Sequence, residues 1–400
     1  MNERVPAIRY LALAAAALSA SPALAETTVG GVVALNGGYG SNPQLITGPS
    51  GGGSTATGVA TFSPVITFAG PRTTANINGN LSYTYYSKNY NDQTDYTIGG
   101  TVSQQLSPTS SALLGGRYSR RTLTALDALT DPVTGLPPDP TLIVNGGRKV
   151  EQFSANAGYN TRLSTRYSLE VHGDTSATNY LNESLAALGS SDVVSYGGGF
   201  SVTGQVSRRV QLGGGLDVRK TDYKQNLFGD GTQYTPTLIA NVQLSPTIKL
   251  AANGGVTFIK IDSVAGVMPG SNSTTLSGSV SLCQTRPRTT MCVNVRRTVS
   301  PTTYAGSSTV TVAGASYQYA TSPRGSATAN LNYSRSQALS GPLRNDYSYL
   351  EADAGYRHQV TQRLSATANA RYVNPINSRL AQKSNFYANI GISYRLGRAQ

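Results

Sequence analysis

The chain has no tryptophan, two cysteines, two histidines and three methionines in 400 residues. Charged residues make up only 13%, and acids are the scarcer sign, 19 against 32 lysines and arginines. No stretch approaches the roughly 20 consecutive apolar residues of a membrane-spanning helix. Each scarcity removes a class of protein. The two histidines, His172 and His358, stand far from each other and from both cysteines, so no H-E-x-x-H or Cys/His metal spacing arises. There is no G-x-S-x-G elbow, no P-loop and no dinucleotide fingerprint in context. No catalytic residue, cofactor or metal ligand is therefore assigned. Helix signals are also poor: 43 glycines and 24 tyrosines sit among abundant Ser, Thr and Asn, a composition that favours strands and turns.

The N-terminus carries three features in order. Arg4 and Arg9 are basic, Tyr10–Leu18 is apolar, and Ala23-Leu24-Ala25 has the A-x-A form of a cleavage site. Residues 1–25 thus read as a secretory signal peptide, and 26–400 as the mature chain. The formal charge of +13, less the +1 of Glu3, Arg4 and Arg9, leaves +12 on residues 26–400. Export removes nucleic acid as the partner of that charge. Anionic lipid headgroups, lipopolysaccharide, acidic polysaccharide or small anions remain.

Within 26–400 one pattern recurs. In Asn385–Leu396, Phe386, Ala388, Ile390, Ile392, Tyr394 and Leu396 alternate with Asn385, Tyr387, Asn389, Gly391, Ser393 and Arg395. This is a period of two, with one face apolar. The same alternation runs through Ala75–Tyr85, Gln152–Tyr159, Tyr167–His172, Val210–Arg219, Ile248–Phe258, Ala327–Tyr333 and Leu350–Arg357. Each run is about ten residues, the length a tilted strand needs to cross a bilayer.

The connections alternate as well. Tight turns stand at Gly70–Arg72, Ser107–Thr109, Leu163–Thr165, Ser207–Arg209, Ser245–Thr247, Arg286–Arg288, Ser322–Arg324 and Thr361–Arg363. Longer loops separate them: 41–55, 88–93, 122–148, 179–192, 224–232, 262–273, 300–307, 338–346 and 374–383. Short turns at one end and long loops at the other predict an all-β, antiparallel, up-and-down transmembrane barrel of about 18 strands, or 16 if the weaker segments fail. Those segments are Thr57–Phe68, which carries Pro64, and Val293–Ala315.

In such a barrel the apolar face meets lipid, and a lumen of 16–18 strands is wide enough for water. Tyr83, Tyr85, Tyr118, Tyr159, Tyr167, Tyr223, Tyr333, Tyr356, Tyr372 and Tyr394 are candidates for the interfacial aromatic girdles. The opposite parity gives the lumen candidates: Arg117, Arg166, Glu170, Asp217, Lys249, Arg296, Glu351, Asp353, Arg357, Arg371 and Arg395. These form either a solvated wall with scattered ion pairs or a pore of cationic lining that lets anionic solutes pass. His172 shares that parity with Glu170 and Asp174, while His358 lies at a strand end. The loop 122–148 is expected either to fold into the mouth as a constriction or to lie outside it. Cys283 and Cys292 flank the Arg286–Arg288 turn at inward parity, and a disulfide across the hairpin is expected in an oxidising compartment; two free thiols are the alternative.

Two sets of residues carry a resemblance. Asn389, Gly391, Tyr394 and Leu396 in the last strand resemble the assembly signal of bacterial outer-membrane barrels, although Gly397–Gln400 extend beyond it. Gly38-Tyr39-Gly40-Ser41-Asn42-Pro43, Phe62-Ser63-Pro64-Val65-Ile66, Gly70-Pro71-Arg72 and the Leu-Ser-Pro turns at 106–108 and 244–246 resemble the β-barrel porin 2 family. The resemblance implies the outer membrane of a Gram-negative bacterium and passage through the barrel-assembly machinery. It implies a porin-like passive channel, with exopolysaccharide export or a filled structural barrel as alternatives. It brings no catalytic residues.

Overall fold

The computed structural model describes residues 26–44, 52–122, 149–181, 192–224, 229–266, 269–302, 306–339, 346–377 and 384–397. The signal-peptide segment and nearly all of 122–148 lie outside the described residues. Eighteen strands form one sheet: β1 (Glu26–Gly40), β2 (Thr55–Ala69), β3 (Thr73–Tyr86), β4 (Gln93–Ser107), β5 (Ser110–Thr122), β6 (Lys149–Arg162), β7 (Tyr167–Tyr180), β8 (Val193–Ser207), β9 (Val210–Tyr223), β10 (Gly231–Ser245), β11 (Ile248–Ile261), β12 (Ser271–Thr285), β13 (Thr289–Thr302), β14 (Gly306–Ser322), β15 (Gly325–Ala338), β16 (Asp346–Gln359), β17 (Leu364–Asn377) and β18 (Asn385–Gly397). Every strand pairs antiparallel with its sequence neighbour, and β18 pairs with β1. The barrel is closed, which removes the sheet edges that hydrocarbon would leave unsatisfied.

The strands run 13 to 17 residues, longer than the ten-residue runs in the sequence. At about 3.4 Å per residue a 15-residue strand is about 50 Å long. It therefore projects beyond a hydrocarbon core of about 30 Å even when tilted. The eight tight turns define one end, and the longer connections define the other.

Pro64 lies inside β2 without breaking it. It has no N–H to give, and the β2–β3 ladder lapses between Phe62↔Leu81 and Val65↔Asn78. Gly79 faces the ring: a Cβ there would stand 3.1 Å from Pro64 Cγ. The weak signal of this strand thus reflects a prolyl ring accommodated by a glycine.

The closing seam is tied at its loop end. Asn385 Oδ1 accepts from Asn42 N–H at 2.9 Å and from Ser41 Oγ at 3.2 Å. Ser41 N–H donates to the Phe386 carbonyl at 2.9 Å, and Phe386 N–H donates to Ser41 Oγ at 2.8 Å. Tyr90 Oη reaches Asn42 Oδ1 at 3.1 Å and the Gly53 carbonyl at 2.9 Å. Burial pushes the Tyr90 phenol up to about 12, so it is a protonated donor at neutral pH.

The outward faces are apolar and exposed, as in Leu238, Leu276, Ile390 and Ile392. Tyr83, Tyr85, Tyr159, Tyr167, Tyr356, Tyr372 and Tyr394 are exposed on that face. Tyr223 is a correction. It is 4% exposed and packs against Val193. Counted from Val210, it shares the inward parity of Asp217 and Arg219, so it belongs to the lumen and not to a girdle.

The Val293–Ala315 region departs from a plain barrel wall. The β12–β13 ladder stops at Gly278↔Arg297. The β13–β14 ladder runs on to Thr302↔Gly306, and β11–β12 runs on to Ile261↔Ser271. The end of the β13–β14 hairpin has therefore separated from β12. It turns into the lumen, where Val299 packs on the inward Ile259 and Ile261 of β11. The hairpin also touches β8, five strands away around the wall.

Candidate functional site

The lumen is the one place where polar and charged groups from many strands converge. Its loop-side half is packed. Tyr86, Tyr223, Tyr347, Tyr349 and Tyr387, with Val150, Ile259 and Ile261, point inward and are all buried. Its turn-side half is open. Glu170, Lys249, Arg357 and Arg395 point inward there and are exposed.

Among the described residues, Glu351 and Arg371 form the most buried ion pair, with side chains 3% and 18% exposed. Glu351 also accepts from Asn332 Nδ2 at 3.4 Å, and the neighbouring Asp353 accepts from Asn330 Nδ2 at 2.7 Å. Asp353 stands opposite Arg371 in the β16–β17 register. The Asn side chains of β15 thus supply donors to two neighbouring inward carboxylates, one of which, Glu351, pairs with Arg371.

A second polar group spans β7, β8 and β9. Arg219 Nη2 grips both carboxylate oxygens of Asp174 at 2.7 Å, and Arg219 Nη1 donates to Ser195 Oγ at 3.1 Å. His172 Nε2 lies 2.8 Å from Asp217 Oδ1. The partners in each pair are two strands apart, and the strand between them carries glycine. Gly197 lies in the row Asp174–Gly197–Arg219, and Gly199 in the row His172–Gly199–Asp217. A Cβ at Gly199 would stand 2.6 Å from Asp217 Oδ1. The Gly-Gly-Gly run at 197–199 signals this close approach, because a strand interior gains nothing else from glycine.

The other sequence candidates are dispersed. Arg117 is on β5 opposite Gly99 and Ser154. Arg296 is on β13 opposite Ser279 and Val312. Arg166 is not on a strand: it is the last residue of the Leu163–Arg166 turn. Lys249, Arg357 and Arg395 lie two or three residues inside the turn-side rim. Cys283 and Cys292 face each other across β12 and β13 with sulfurs 2.07 Å apart, a disulfide next to Lys249 in the same cross-strand row. Asn389 and Gly391 face inward on β18, and Tyr394 and Leu396 face outward. Among the described residues no group of three or more His, Cys, Asp and Glu is placed to hold a metal ion. The loop-side packing and the in-turned hairpin escaped sequence reasoning. Tyr347, Tyr349, Ile259 and Ile261 were the available signal: large apolar or aromatic side chains at lumen parity.

No protein-family model and no curated protein matches the chain. Among solved structures, the FrpB iron transporter from Neisseria meningitidis (F5-1 variant) matches with a TM-score of 0.50 at 9% identity, over 92% of this chain and 82% of that one. OccK2 from Pseudomonas aeruginosa matches at a TM-score of 0.48 and 10% identity, over 93% and 98% of the two chains. A BenF-like porin from Pseudomonas fluorescens Pf-5 matches at 0.48 and 12%, over 93% and 99%. The likeness is one of fold. The chain is an 18-stranded closed antiparallel barrel of the architecture found in outer-membrane porins and transporters.

Proposed function

We propose that the chain is an outer-membrane barrel of a Gram-negative bacterium that acts as a porin-like passive channel whose polar lumen carries an excess of cationic residues. The observation that carries this reading is the turn-side half of the lumen. Its inward wall presents exposed charges, Lys249, Arg357, Arg395 and Glu170, under an apolar outer face. Charges on a lipid-enclosed wall are retained at low cost only where water reaches them. The export signal at 1–25 and the last-strand pattern Asn389/Gly391/Tyr394/Leu396 support an outer-membrane address reached through the assembly machinery. The motifs shared with the β-barrel porin 2 family support the same class. Lipopolysaccharide is the expected neighbour of the loop end, and the reading contains no catalytic step.

The packed loop-side half and the in-turned β13–β14 hairpin would form the narrow part of the path. Purified, refolded protein in a planar bilayer should give discrete conductance steps, with a reversal potential in a salt gradient that favours anions. Absence of steps from folded protein would overturn the channel reading. A cation-favouring potential would overturn the role of the basic wall. A second reading, handling of an acidic exopolysaccharide, is favoured by the concentration of cations at the turn end.

A further inference from the structure

The tight turns share a position that the channel reading does not use. In each, one residue immediately precedes the following strand. In six of the eight turns that residue is arginine: Arg72, Arg166, Arg209, Arg288, Arg324 and Arg363. The backbone at this position is built the same way around the rim. Its carbonyl accepts an N–H from the next strand around the rim: Arg72 from Gln105, Arg166 from Gln205, Arg209 from Gln243, Arg288 from Ala320, Arg324 from Gln359 and Arg363 from Arg395, at 2.7 to 2.8 Å. In four of them the N–H donates to a hydroxyl two residues earlier. Arg166, Arg209, Arg324 and Arg363 bond Ser164, Ser207, Ser322 and Thr361 at 3.2 to 3.3 Å.

The two exceptions keep the same backbone bonds. Thr109 and Thr247 accept from Arg162 and Thr285, each at 2.8 Å. A cation stands beside each: Arg162 makes the bond to Thr109, and Lys249 lies two residues beyond Thr247. Seven of the eight hairpins thus carry a cation at this position or within two residues of it, and beside Thr109 the neighbouring strand β6 supplies Arg162. The six guanidinium side chains are exposed, and among the described residues none is in an ion pair. Within five residues of that rim the described strands carry only two acids, Glu26 and Glu170.

The parity of these residues indicates what the ring would hold. Each arginine is followed by an outward residue, Thr73, Tyr167, Val210, Thr289, Gly325 or Leu364, so it continues the lumen face. Arginines serving lipid headgroups belong on the other face. Neighbouring hairpins are two strands apart, about 10 Å. A single small anion would therefore meet one guanidinium at a time, whereas a polymer of regularly spaced carboxylates would meet several and gain by multivalency. Lys249, Arg357 and Arg395 extend the positive charge inward. A folded acidic protein could touch the rim but not these residues.

We propose that the turn-side ring is a docking site for a linear acidic polysaccharide of polyuronate type, which enters the lumen by its end. The inference rests on the second reading above and supplies that reading with a site and a direction of approach.

The test uses folded protein in nanodiscs and a fluorescent oligogalacturonate followed by anisotropy, with a labelled neutral maltooligosaccharide as control. The oligogalacturonate should bind, weaken as salt is raised, and lose about a hundredfold in affinity when all six arginines become glutamine. The turn backbone and hydroxyl bonds are untouched by this change, and heat-modifiable migration checks the fold. Should the sixfold variant not fold, R288Q/R324Q/R363Q, confined to three consecutive turns, should lose about tenfold. Equal binding by parent and variant would overturn the ring. So would equal binding of the neutral sugar, or a ring-dependent association with anionic-lipid vesicles and none with the oligogalacturonate. Conductance of the parent protein distinguishes this failure from that of the channel reading, since discrete steps should appear there whether or not the oligogalacturonate binds.

Discussion

The two halves of the lumen share one strand alternation and one lipid face, yet their inner faces are opposites. On the loop side, Tyr86, Tyr223, Tyr347, Tyr349 and Tyr387 are buried, and Glu351 is 2% exposed. On the turn side, the inward charges Glu170, Lys249, Arg357 and Arg395 are exposed, and three of the four are cationic. A barrel wall thus behaves as a protein core at one height and as a solvated surface at another. The same residue type should therefore have very different energetic weight in the two halves. How far water reaches is tested by two ion pairs at similar heights, the buried Glu351–Arg371 and the more exposed Asp174–Arg219, which use the same chemistry.

The largest effect should come from Arg371→Ala. Removing the guanidinium leaves Glu351 with Asn332 as its partner and almost no water, a loss of about 3–5 kcal/mol for a broken buried pair. The midpoint of urea unfolding, followed by heat-modifiable migration, should fall accordingly. Replacing both members by leucine should cost much less, because no charge is then stranded. A single variant within about 1 kcal/mol of the parent would show that the loop-side half is wetter than its packing implies.

Asn385→Ala comes next. The side chain is fully buried and closes the seam by accepting from Asn42 and Ser41. Its loss leaves the Asn42 N–H without that acceptor, at about 1–3 kcal/mol. The β1–β18 seam should become the first part of the barrel to exchange amide protons. If β1 and β18 remain as protected as β7 and β8, the seam does not depend on this tie.

The contrast between the halves also marks what could be read from the chain. The period of two gave the 18 strands, the eight turns and the lipid face, because lipid imposes the same demand on every strand. It gave which inward residues exist but not their surroundings, since those are set by side chains from across the lumen. Asp217 and His172 were both placed inward, but their meeting over Gly199 depends on a register that no single strand encodes. Arg166 fits a strand parity and still lies in a turn, because the alternation continues through the residue before Tyr167. The in-turned β13–β14 hairpin was hidden because Val293, Val295 and Val299 alternate like any wall strand. Only the end of the β12–β13 ladder at Arg297 separates Val299 from the other two.

The smallest effect should come from Arg219→Ala, and its smallness is informative. Arg219 and Asp174 have better geometry than most surface pairs, with two contacts at 2.7 Å. Their side chains are nonetheless 28% and 32% exposed, so water competes for both charges. The expected loss is about 0.5–1 kcal/mol, and it should shrink further in high salt. Ser195, 3% exposed, loses that donor in the same variant. If Arg219→Ala costs as much as Arg371→Ala, the lumen at β7–β9 is as dry as at β16–β17. If it costs a few tenths and vanishes in salt, the wall behind Gly197 and Gly199 is wetted, as a conducting path past those glycines requires.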